Sequence, residues 1–402
     1  MDLWSNELFS LYLLAGYLIV LSVAWLLMLI NISSWGKKWF VSQVDPPEKG
    51  PLLSICVPAR NEAENIGQCV SAVLKSDWPN LELIVVDDRS TDDTGRIARE
   101  AAQDDERFRL IEGSEPTLGW AGKPWTCARA ARESKGHWLL FIDADVRLHA
   151  GAATAAIKTA QDRSLDVLSF FGCWTLVGFW ERCLIPAVGW FIRGSVNFDE
   201  VNSPAKEAAF ANGQFILMRR AAYVELEGHA VVRDEVLEDV RLAQAFKRVG
   251  YRVEMRPAPW SFSVRLYRSL GEIINGYTKN LYEGMDRNPI VGFSAILFIS
   301  FGALFPFFGA MFGCVLHLMD MNFIPIWAVL WLMVICSLQI LFRYRIERYD
   351  GHSGIYALTH PFANVLLVLI LIRSTLGVRV QWKGRTFIDG KALADGASDQ
   401  KK

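Results

Sequence analysis

Two carboxylates stand one position apart at the end of an apolar run, in LLFIDADVRL at 139–148. Residues i and i+2 of an extended strand point to the same face, so the pattern predicts that Asp143 and Asp145 aim at one point. Like charges this close repel unless a cation lies between them, and a divalent metal is the usual solution. Two other interpretations fit the motif alone: a solvated turn with helix-capping aspartates, and a phosphatase-type site with an aspartyl nucleophile.

The composition indicates a soluble domain joined to membrane segments. Of the 402 residues, 52% are hydrophobic, which is high for a soluble enzyme, and 21% are charged, which is high for a fully embedded protein. The formal net charge of −1 argues against nucleic acid as a partner. The seven cysteines form no Cys-x-x-Cys pair, so we expect a reduced, cytoplasm-facing domain without a zinc site.

The N-terminal apolar stretch predicts a transmembrane anchor. Residues 8–30 contain no charged side chain and are long enough to cross a bilayer. Lys37 and Lys38 follow directly, so the positive-inside rule places the next domain in the cytoplasm. We therefore expect an integral protein of the cell inner membrane, with one N-terminal transmembrane helix.

The C-terminal third predicts further membrane segments. Residues 289–342 suffice for two passes with a turn around 317–322, and the basic cluster RYRIER follows them. If the stretch 355–372 crossed the membrane, it would export the basic residues between 373 and 385. We therefore expect a re-entrant or interfacial segment there, bent at Pro361.

Between these regions, short apolar runs alternate with helix-period segments. Apolar runs that end in polar residues predict strands at 53–60, 81–88, 108–113 and 137–145, with helices between them. This β-α-β-α-β-α-β order predicts an α/β domain with a doubly wound, mostly parallel sheet. Such sheets bind ligands in a crevice at the carboxyl ends of their strands.

The polar strand ends VPARNE, VDD and DAD should all face that crevice. They supply the candidate ligand-binding residues Pro58, Asn61, Glu62, Asp88 and Asp143, with Lys123 on the approach. No Walker-type loop and no Gly-x-Gly-x-x-Gly follows the first strand, which disfavours ATPases and dinucleotide enzymes. The phosphatase interpretation also loses support, because its nucleophile strand normally comes first and here three strands precede it.

The motif order resembles the inverting family 2 glycosyltransferases, which have the nucleotide-diphospho-sugar transferase (GT-A) fold. The matching blocks are VPARNEAENI (57–66), VVDDRSTDDT (85–94), GWAGKPWTCARAA (119–131), FIDADV (141–146) and LEDVRLAQAFKRVGYRV (237–253). Within that family the chain is most similar to membrane enzymes that glycosylate lipids: the hopanoid-associated, carotenoid (diaponeurosporenoate) and ceramide glycosyltransferases. ANGQFILMRRAAY (211–223), the GH pair at 228–229, GYTKN (276–280) and QWKGRTF near the C terminus carry this similarity.

The resemblance implies a role for each acidic motif. Asp88 would bind the base or ribose of a nucleoside-diphosphate sugar, most commonly a uridine one. Asp143 and Asp145 would hold Mg²⁺ or Mn²⁺, and Asp239 would be the general base that deprotonates a lipid acceptor. Asn212, Gly213, His229 and Glu238 are acceptor-side candidates, although a lone histidine is more often structural.

The surroundings of Asp239 fit this role on physical grounds. Val236, Val240, Ala243, Phe246 and Val249 are spaced as an apolar stripe of one helix, and Gly250 ends it. Asp239 lies off the stripe in the first turn. An acidic first turn that merely complements the helix dipole is the alternative interpretation.

One motif departs from the processive and ceramide-type relatives, which carry Gln/Arg-x-x-Arg-Trp. The nearest match here is Arg265-Leu-Tyr-Arg268-Ser, without the tryptophan. This difference favours transfer of a single sugar over a polysaccharide synthase. Arg265 and Arg268 either clamp the diphosphate or are solvated interfacial arginines. An inactive transferase-like scaffold should have lost one of the four key aspartates, and all four are present.

The expected domain organisation follows from these segments. Residues 1–49 form the anchor and linker, 50–270 the catalytic domain, 271–386 the C-terminal membrane helices with the WKGR segment, and 387–402 a disordered tail. Within the catalytic domain, the aromatic segment 172–194 is too broken to span a membrane. It is either an interfacial helix that opens the site to lipid or an aromatic core segment packed on the sheet.

Overall fold

A computed structural model describes residues 2–32, 36–194, 196–235, 237–321, 323–382, 385–388 and 391–392. The chain forms two compact units. The helical unit consists of Met1–Trp35, Val177–Gly194 and Tyr267–Val378, and the sheet unit of Gly36–Leu176, Ser195–Leu266 and Arg379–Lys402. Val236 of the expected apolar stripe, Lys383 and Gly384 of the WKGR segment, and almost all of the expected tail 387–402 lie outside the described residues.

The strands of the described residues all belong to the sheet unit. In chain order they are β1 (Leu53–Ala59), β2 (Leu81–Asp87), β3 (Phe108–Glu112), β4 (Trp138–Phe141), β5 (Val146–Leu148), β6 (Val167–Phe171), β7 (Cys173–Trp174), β8 (Ile216–Arg219), β9 (Val253–Pro257), β10 (Phe262–Val264), β11 (Val380–Trp382), β12 (Arg385–Ile388) and β13 (Lys391–Ala392).

Seven of these strands form the main sheet in the order β3-β2-β1-β4-β8-β6-β9. Strands β1 to β4 are parallel to one another, whereas β8 runs antiparallel to both β4 and β6. In this register Cys56 of β1 pairs with Ile84 of β2 and with Phe141 of β4. The carboxyl ends of β1, β2 and β4 therefore meet at one edge. The expected mostly parallel α/β sheet is confirmed.

The helices of the described residues, again in chain order, complete both units. They are α1 (Asp2–Ile32), α2 (Ile66–Leu74), α3 (Thr94–Ala102), α4 (Gly122–Glu133), α5 (Ala152–Asp162), α6 (Phe179–Gly194), α7 (Phe198–Val201), α8 (Arg220–Glu225), α9 (Glu238–Arg248), α10 (Leu270–Gly284), α11 (Pro289–Ile299), α12 (Phe305–Leu318), α13 (Ile326–Tyr349) and α14 (His360–Thr375).

The main sheet is buried on both faces, as the continuous apolar runs predicted. Alternate residues of each strand point to opposite faces. Ile55 and Val57 of β1 pack in one core with α2, α3 and α5, while Cys56 between them joins a second core with α4 and α9. These two cores fix the helices that start at the carboxyl edge of the sheet.

Two local expectations about the sheet unit are wrong. β4 ends at Phe141, so Asp143 and Asp145 lie in a turn that leads into β5 rather than on a strand. The amide of Val146 donates to the carbonyl of Asp143 and closes this turn at 3.1 Å. Val249 is 60% exposed, because the helix α9 ends at Arg248 and the chain turns at Gly250 with φ of 91°.

The helical unit contains the membrane-length helices. Four segments of the described residues are long and apolar enough to cross a membrane: Phe9–Trp39, Pro289–Leu318, Ile326–Tyr349 and Ile355–Thr375. The second contains a π-helical turn at Ser300–Leu304. Trp25 and Gln339 both donate to the carbonyl of Gly302 in that turn, at 3.1 and 3.3 Å. Such internal bonds satisfy backbone groups that lipid cannot satisfy.

The aromatic segment 172–194 divides between the two units. Its first residues belong to β7 of the sheet unit, and α6 packs against α13 and α14 of the helical unit. The helix is largely buried among the membrane-length helices, and its N-terminal Phe179 is 50% exposed.

A buried arginine donates to a backbone carbonyl of α6 that a proline leaves without its helical donor. Pro186 lies inside this helix and has no N–H to donate to the carbonyl of Arg182 one turn earlier. The guanidinium Nη2 of Arg343 donates to the carbonyls of Arg182 and Cys183 instead, at 2.9 Å each. Arg343 has 0% of its side chain exposed and pairs with Glu347 at 2.9 Å. The proline of α6 and the arginine of α13 therefore form one hydrogen-bonded unit.

This arrangement predicts energetic coupling between Pro186 and Arg343. In a variant that lacks the ion pair (Arg343→Met with Glu347→Gln), the carbonyl of Arg182 loses its donor. An added Pro186→Ala substitution supplies a backbone N–H for that carbonyl. Pro186→Ala should therefore be more favourable in this background than in the wild type, by about 1 kcal/mol. Thermal unfolding of the four proteins in detergent measures this difference.

Pro361 provides the matched control, because it stands in the first turn of α14, where a proline leaves no helical carbonyl without its donor. Pro361→Ala should show no coupling with Arg343→Met. If Pro186→Ala changed the stability equally in both backgrounds, Arg343 would not be replacing the hydrogen bond that Pro186 cannot make.

Candidate functional site

The loops after β1 and β2 are bonded to each other at the carboxyl edge of the sheet. The amide of Asn61 donates to Oγ of Ser90 at 3.0 Å, and the amide of Thr91 donates to Oδ1 of Asn61 at 2.9 Å. Asn61 adopts a left-handed conformation with φ of 51°, which asparagine tolerates well. Pro58 lies on β1 opposite Val86. The predicted residues Pro58 and Asn61 thus flank the start of the crevice.

Asp88 follows β2 at the same edge and is 4% exposed. Its carboxylate lies 3.9 Å from Nη1 of Arg60 and 3.7 Å from Nε of Arg89. Its amide donates to the carbonyl of Ala59 at 2.7 Å, which fixes it beside the end of β1. Arg60 and Arg89 stand inside the quoted motifs VPARNE and VVDDRS, and their charges were not used in the sequence-based site.

The Asp143–Asp145 turn lies close to Glu62. Burial, together with the charges of Asp145, Glu62 and Asp143, raises the pKa of the Cys69 thiol to about 12, although Arg147 opposes the shift. The Cys69 thiol also contacts the carbonyl of Asp143 at 3.8 Å. Three predicted carboxylates therefore act electrostatically on one buried thiol in the first turn of α2.

Lys123 connects the turn after β4 to the start of α9. Its Nζ lies 2.7 Å from Oδ1 of Asp143 and 2.8 Å from Oε1 of Glu238. Burial alone would lower the pKa of Lys123, but the charges of Asp143, Glu238 and Asp239 raise it well above its usual value. The side chain is still 39% exposed, so solvent screens part of this attraction. The ammonium group of Lys123 thus links Asp143, a candidate metal ligand, to Glu238, the residue before the candidate base Asp239.

Asp239 is held by main-chain donors in the first turn of α9. Its Oδ2 accepts from the amide of Gly213 at 2.7 Å, and its Oδ1 accepts from its neighbour Val240 at 2.8 Å. Burial, with the charge of Glu238, raises the pKa of Asp239 to about 6, although Lys123 and the two amides oppose the shift. Asp239 is therefore ionised at neutral pH and accepts a proton more readily than an ordinary aspartate.

Gly213 fits between the base candidate and the lysine because it has no side chain. A β-carbon at this position would lie 2.9 Å from Oδ2 of Asp239 and 3.2 Å from Nζ of Lys123. The sequence singled out Gly213 only as an acceptor-side candidate. Gly213 lies in a loop more than twenty residues before Asp239 in the chain. The spacing of residues in the sequence therefore cannot reveal this contact.

The other acceptor-side candidates have structural partners. His229 is 3% exposed, and its Nδ1 lies 2.8 Å from the hydroxyl of Tyr223. Burial lowers its pKa to about 3, and the charge of Lys123 adds to this shift, so it is neutral. Asn212 bonds within its own turn, where its Oδ1 accepts from the amide of Gln214 at 3.3 Å. The packing interpretation of the lone histidine therefore describes His229 better.

The two arginines after β10 belong to different units. Arg265 is in the sheet unit, and Arg268 is in the helical unit, where its amide donates to Oε2 of Glu272 at 3.0 Å. Asp88 and the Asp143–Asp145 turn thus follow strands that end at the same edge of the sheet, and Lys123 joins Asp143 to Glu238, the residue before Asp239. Arg268 belongs to the other unit.

This sheet and the acidic groups at its carboxyl edge are those of the GT-A fold. Residues 54–226 match the family model described as Glycosyl transferase family 2. This part of the chain is therefore a Glycosyl transferase family 2 domain.

Two relatives and one solved structure illustrate the similarity. The 4,4'-diaponeurosporenoate glycosyltransferase of Staphylococcus aureus (strain USA300) is 24% identical over 349 residues, which cover 83% of this chain and 88% of the relative. The protein of the same name from Staphylococcus haemolyticus (strain JCSC1435) is 26% identical over 235 residues, which cover 58% of this chain. That match spans only 61% of the relative's own length.

The mannosyltransferase PcManGT from Pyrobaculum calidifontis, solved in complex with GDP-Man and Mn²⁺, shares the fold. Its TM-score is 0.50 at 19% identity, and the alignment covers 90% of this chain and 98% of that one. At this identity the likeness establishes the GT-A architecture alone.

The bridge through Lys123 predicts coupling between Lys123 and Glu238. Lys123→Met leaves the buried Glu238 carboxylate without its cation and should lower the free energy of unfolding. Adding Glu238→Gln removes that charge, so the double variant should lose less than the sum of the single losses. The expected coupling is about 0.5–3 kcal/mol. Denaturation of the single and double variants in detergent measures it, and Lys123→Arg, which keeps the charge, is the control. Additive losses would mean that the contact contributes nothing.

Proposed function

We propose that this protein transfers one sugar from a nucleoside-diphosphate sugar to a membrane lipid at the cytoplasmic face, with inversion at the anomeric carbon. The observation that carries the proposal is the cluster in which Lys123 joins Asp143 to Glu238, next to a base candidate with a raised pKa. Asp88, Asn61, Glu62 and Pro58 line the same sheet edge, and we assign them to the nucleotide.

The proposed reaction is a single displacement. The acceptor hydroxyl gives its proton to the carboxylate of Asp239 while its oxygen bonds to the anomeric carbon. The bond from that carbon to the diphosphate oxygen breaks, and the nucleoside diphosphate leaves with the electron pair. One displacement on one face inverts the configuration. A base with a pKa of about 6 suits this step, since it is ionised at neutral pH and still basic.

The turn after β4 fits a divalent cation, Mg²⁺ or Mn²⁺, completed by the substrate. Asp143 and Asp145 offer carboxylate oxygens, the ligands that these cations prefer. No group of three or more potential ligands occurs among the residues that the structure describes, so phosphate oxygens and water would complete the shell. When bound, the cation would neutralise charge on the diphosphate. Lys123 adds a second positive charge beside Asp143.

The membrane-length helices and the named relatives support a lipid acceptor. Four described segments can span a bilayer by length and composition. The Staphylococcus relatives are named for 4,4'-diaponeurosporenoate, and a hopanoid, carotenoid, ceramide or related lipid would suit an enzyme anchored in this way. An acceptor with a hydroxyl needs the base, whereas a carboxylate acceptor is already ionised at neutral pH.

Replacing Asp239 tests the proposed base. Asp239→Asn should lower kcat about 10²–10⁴-fold, because no group is left to accept the hydroxyl proton. In the wild type, log(kcat/KM) should rise with pH and level off above about 6, as Asp239 ionises. Mass spectrometry of lipid extracts incubated with nucleotide sugars should show addition of one sugar, and NMR should show the inverted anomer. Chains of several sugars would instead indicate a processive synthase.

Unfolding measurements separate lost chemistry from lost structure. The pKa of Asp239 is raised in the folded state, so its charge destabilises the fold above about pH 6, and this cost fades as the pH falls towards 4. Asp239→Asn should therefore be at least as stable as the wild type at pH 7.5. Asp234→Asn, an exposed neighbour, is the matched control and should keep full activity. An active Asp239→Asn variant with the normal pH profile would refute the assignment.

Asp145 allows a test of the metal that leaves the Lys123 contacts intact. Asp145→Asn should weaken metal-dependent binding of UDP or GDP about tenfold or more, because one ligand oxygen loses its charge. Isothermal titration with and without Mn²⁺ measures this effect, with exposed Asp162→Asn as the control. Nucleotide binding that is equally tight after chelation in the wild type would exclude a metal bridge.

A further inference from the structure

The helix α14 exposes an apolar stripe. Phe362, Leu369 and Ile372 of the helix, and Leu376 just after it, are 46, 50, 36 and 69% exposed. These residues recur every three, four or seven positions and so form one stripe along the helix. The buried residues of α14 are apolar side chains together with the polar residues His360, Asn364 and Ser374, which are 4–6% exposed. An apolar medium favours the exposed stripe.

Both ends of α14 are held by helices that adjoin the sheet unit in the chain. At its start, Phe362 contacts the ring of Trp180 at 5.8 Å, in the first turn of α6, which begins three residues after Leu176 of the sheet unit. At its end, the hydroxyl of Ser374 inserts into α10. It donates to the carbonyl of Thr278 at 2.6 Å and accepts from the amide of Tyr282 at 3.0 Å.

An aromatic patch extends the stripe at the start of α14. Tyr356 precedes the helix, and its ring lies 6.0 Å from that of Phe179 and beneath the guanidinium of Arg182 at 5.5 Å. Ile355 and Leu358 beside it are each 69% exposed. Aromatic rings, exposed aliphatic side chains and an arginine at the edge are typical of a segment at the lipid–water boundary.

We propose that α14 does not cross the membrane but lies within a single leaflet, with its apolar stripe in contact with lipid. The 16 residues of α14 alone span about 24 Å, less than the roughly 30 Å of a hydrocarbon core, so a crossing would also need the preceding turn Ile355–Thr359. The chain leaves the sheet unit after Leu266 and rejoins it at Arg379, so an even number of crossings must lie between. Pro289–Leu318 and Ile326–Tyr349 supply two.

This arrangement also keeps the basic C-terminal residues on the side of the catalytic groups. Arg373, Arg379, Lys383 and Arg385 follow the stripe, and a crossing would carry the last three to the far side. The proposal concerns topology alone and does not depend on the proposed reaction.

Cysteine labelling in oriented membrane vesicles tests the proposal. Ser353→Cys and Arg379→Cys, at exposed positions on either side of α14, should both react with a membrane-impermeant maleimide from the same side. Lys158→Cys in the sheet unit marks the catalytic side, and Asp320→Cys between α12 and α13 marks the other. Labelling above that of the parent protein is compared in inside-out and right-side-out vesicles.

We expect Ser353→Cys and Arg379→Cys to be labelled in the same vesicle orientation as Lys158→Cys. If position 379 follows Asp320→Cys, α14 crosses the membrane and the proposal is wrong. If one of the cysteine variants does not fold, a second measurement tests the same proposal. Spin labels are placed at positions 362, 369 and 376 of the protein in nanodiscs, and the depth of each label in the bilayer is read from its accessibility to oxygen. Similar, shallow depths support the proposal, and a depth that passes through the bilayer centre overturns it.

Discussion

The site depends on electrostatic balance around one ammonium group. Asp143 and Glu238 come from separate parts of the chain and would repel each other if Lys123 did not lie between them at 2.7 and 2.8 Å. The position of Lys123 follows from α4, which packs on the sheet through Cys127 and Ala130. The fold therefore sets the local charge balance, and burial together with that balance sets the proton affinity of Asp239.

A related constraint governs the interior of the helical unit, where buried backbone groups need partners within the protein. The π-turn at Ser300–Leu304 and the proline of α6 each break a helical hydrogen-bond pattern. In both cases a buried side chain from α13, Gln339 or Arg343, supplies a donor. Polar residues inside this unit thus compensate for irregular backbone, and α13 connects the two irregular places.

The sequence predicted the sheet well because its signals are local. Continuous apolar runs, helix-period segments and polar strand ends all lie within windows of about ten residues, and the carboxyl ends of parallel strands meet by geometry. Asp88 and Asp143 could be chosen for the same reason, whereas Asp239 was chosen because the block LEDVRLAQAFKRVGYRV resembles that of the family 2 glycosyltransferases. The turn at Asp143 was missed because the end of β4 is set by tertiary pairing with β1 and β8. The contacts of Lys123 and Gly213 join segments that are far apart in the sequence, so no spacing rule could reveal them.

The contact between Gly213 and Asp239 limits how the basicity of this carboxylate can change during evolution. The donor is a peptide N–H, which every residue except proline provides, so substitution at 213 alters the room available and not the donor itself. Proton affinity can change instead through the burial of Asp239 or through the charges of Lys123 and Glu238. Position 213 is instead restricted by space, because even one methyl group there would lie too close to the carboxylate of Asp239 and to the ammonium of Lys123.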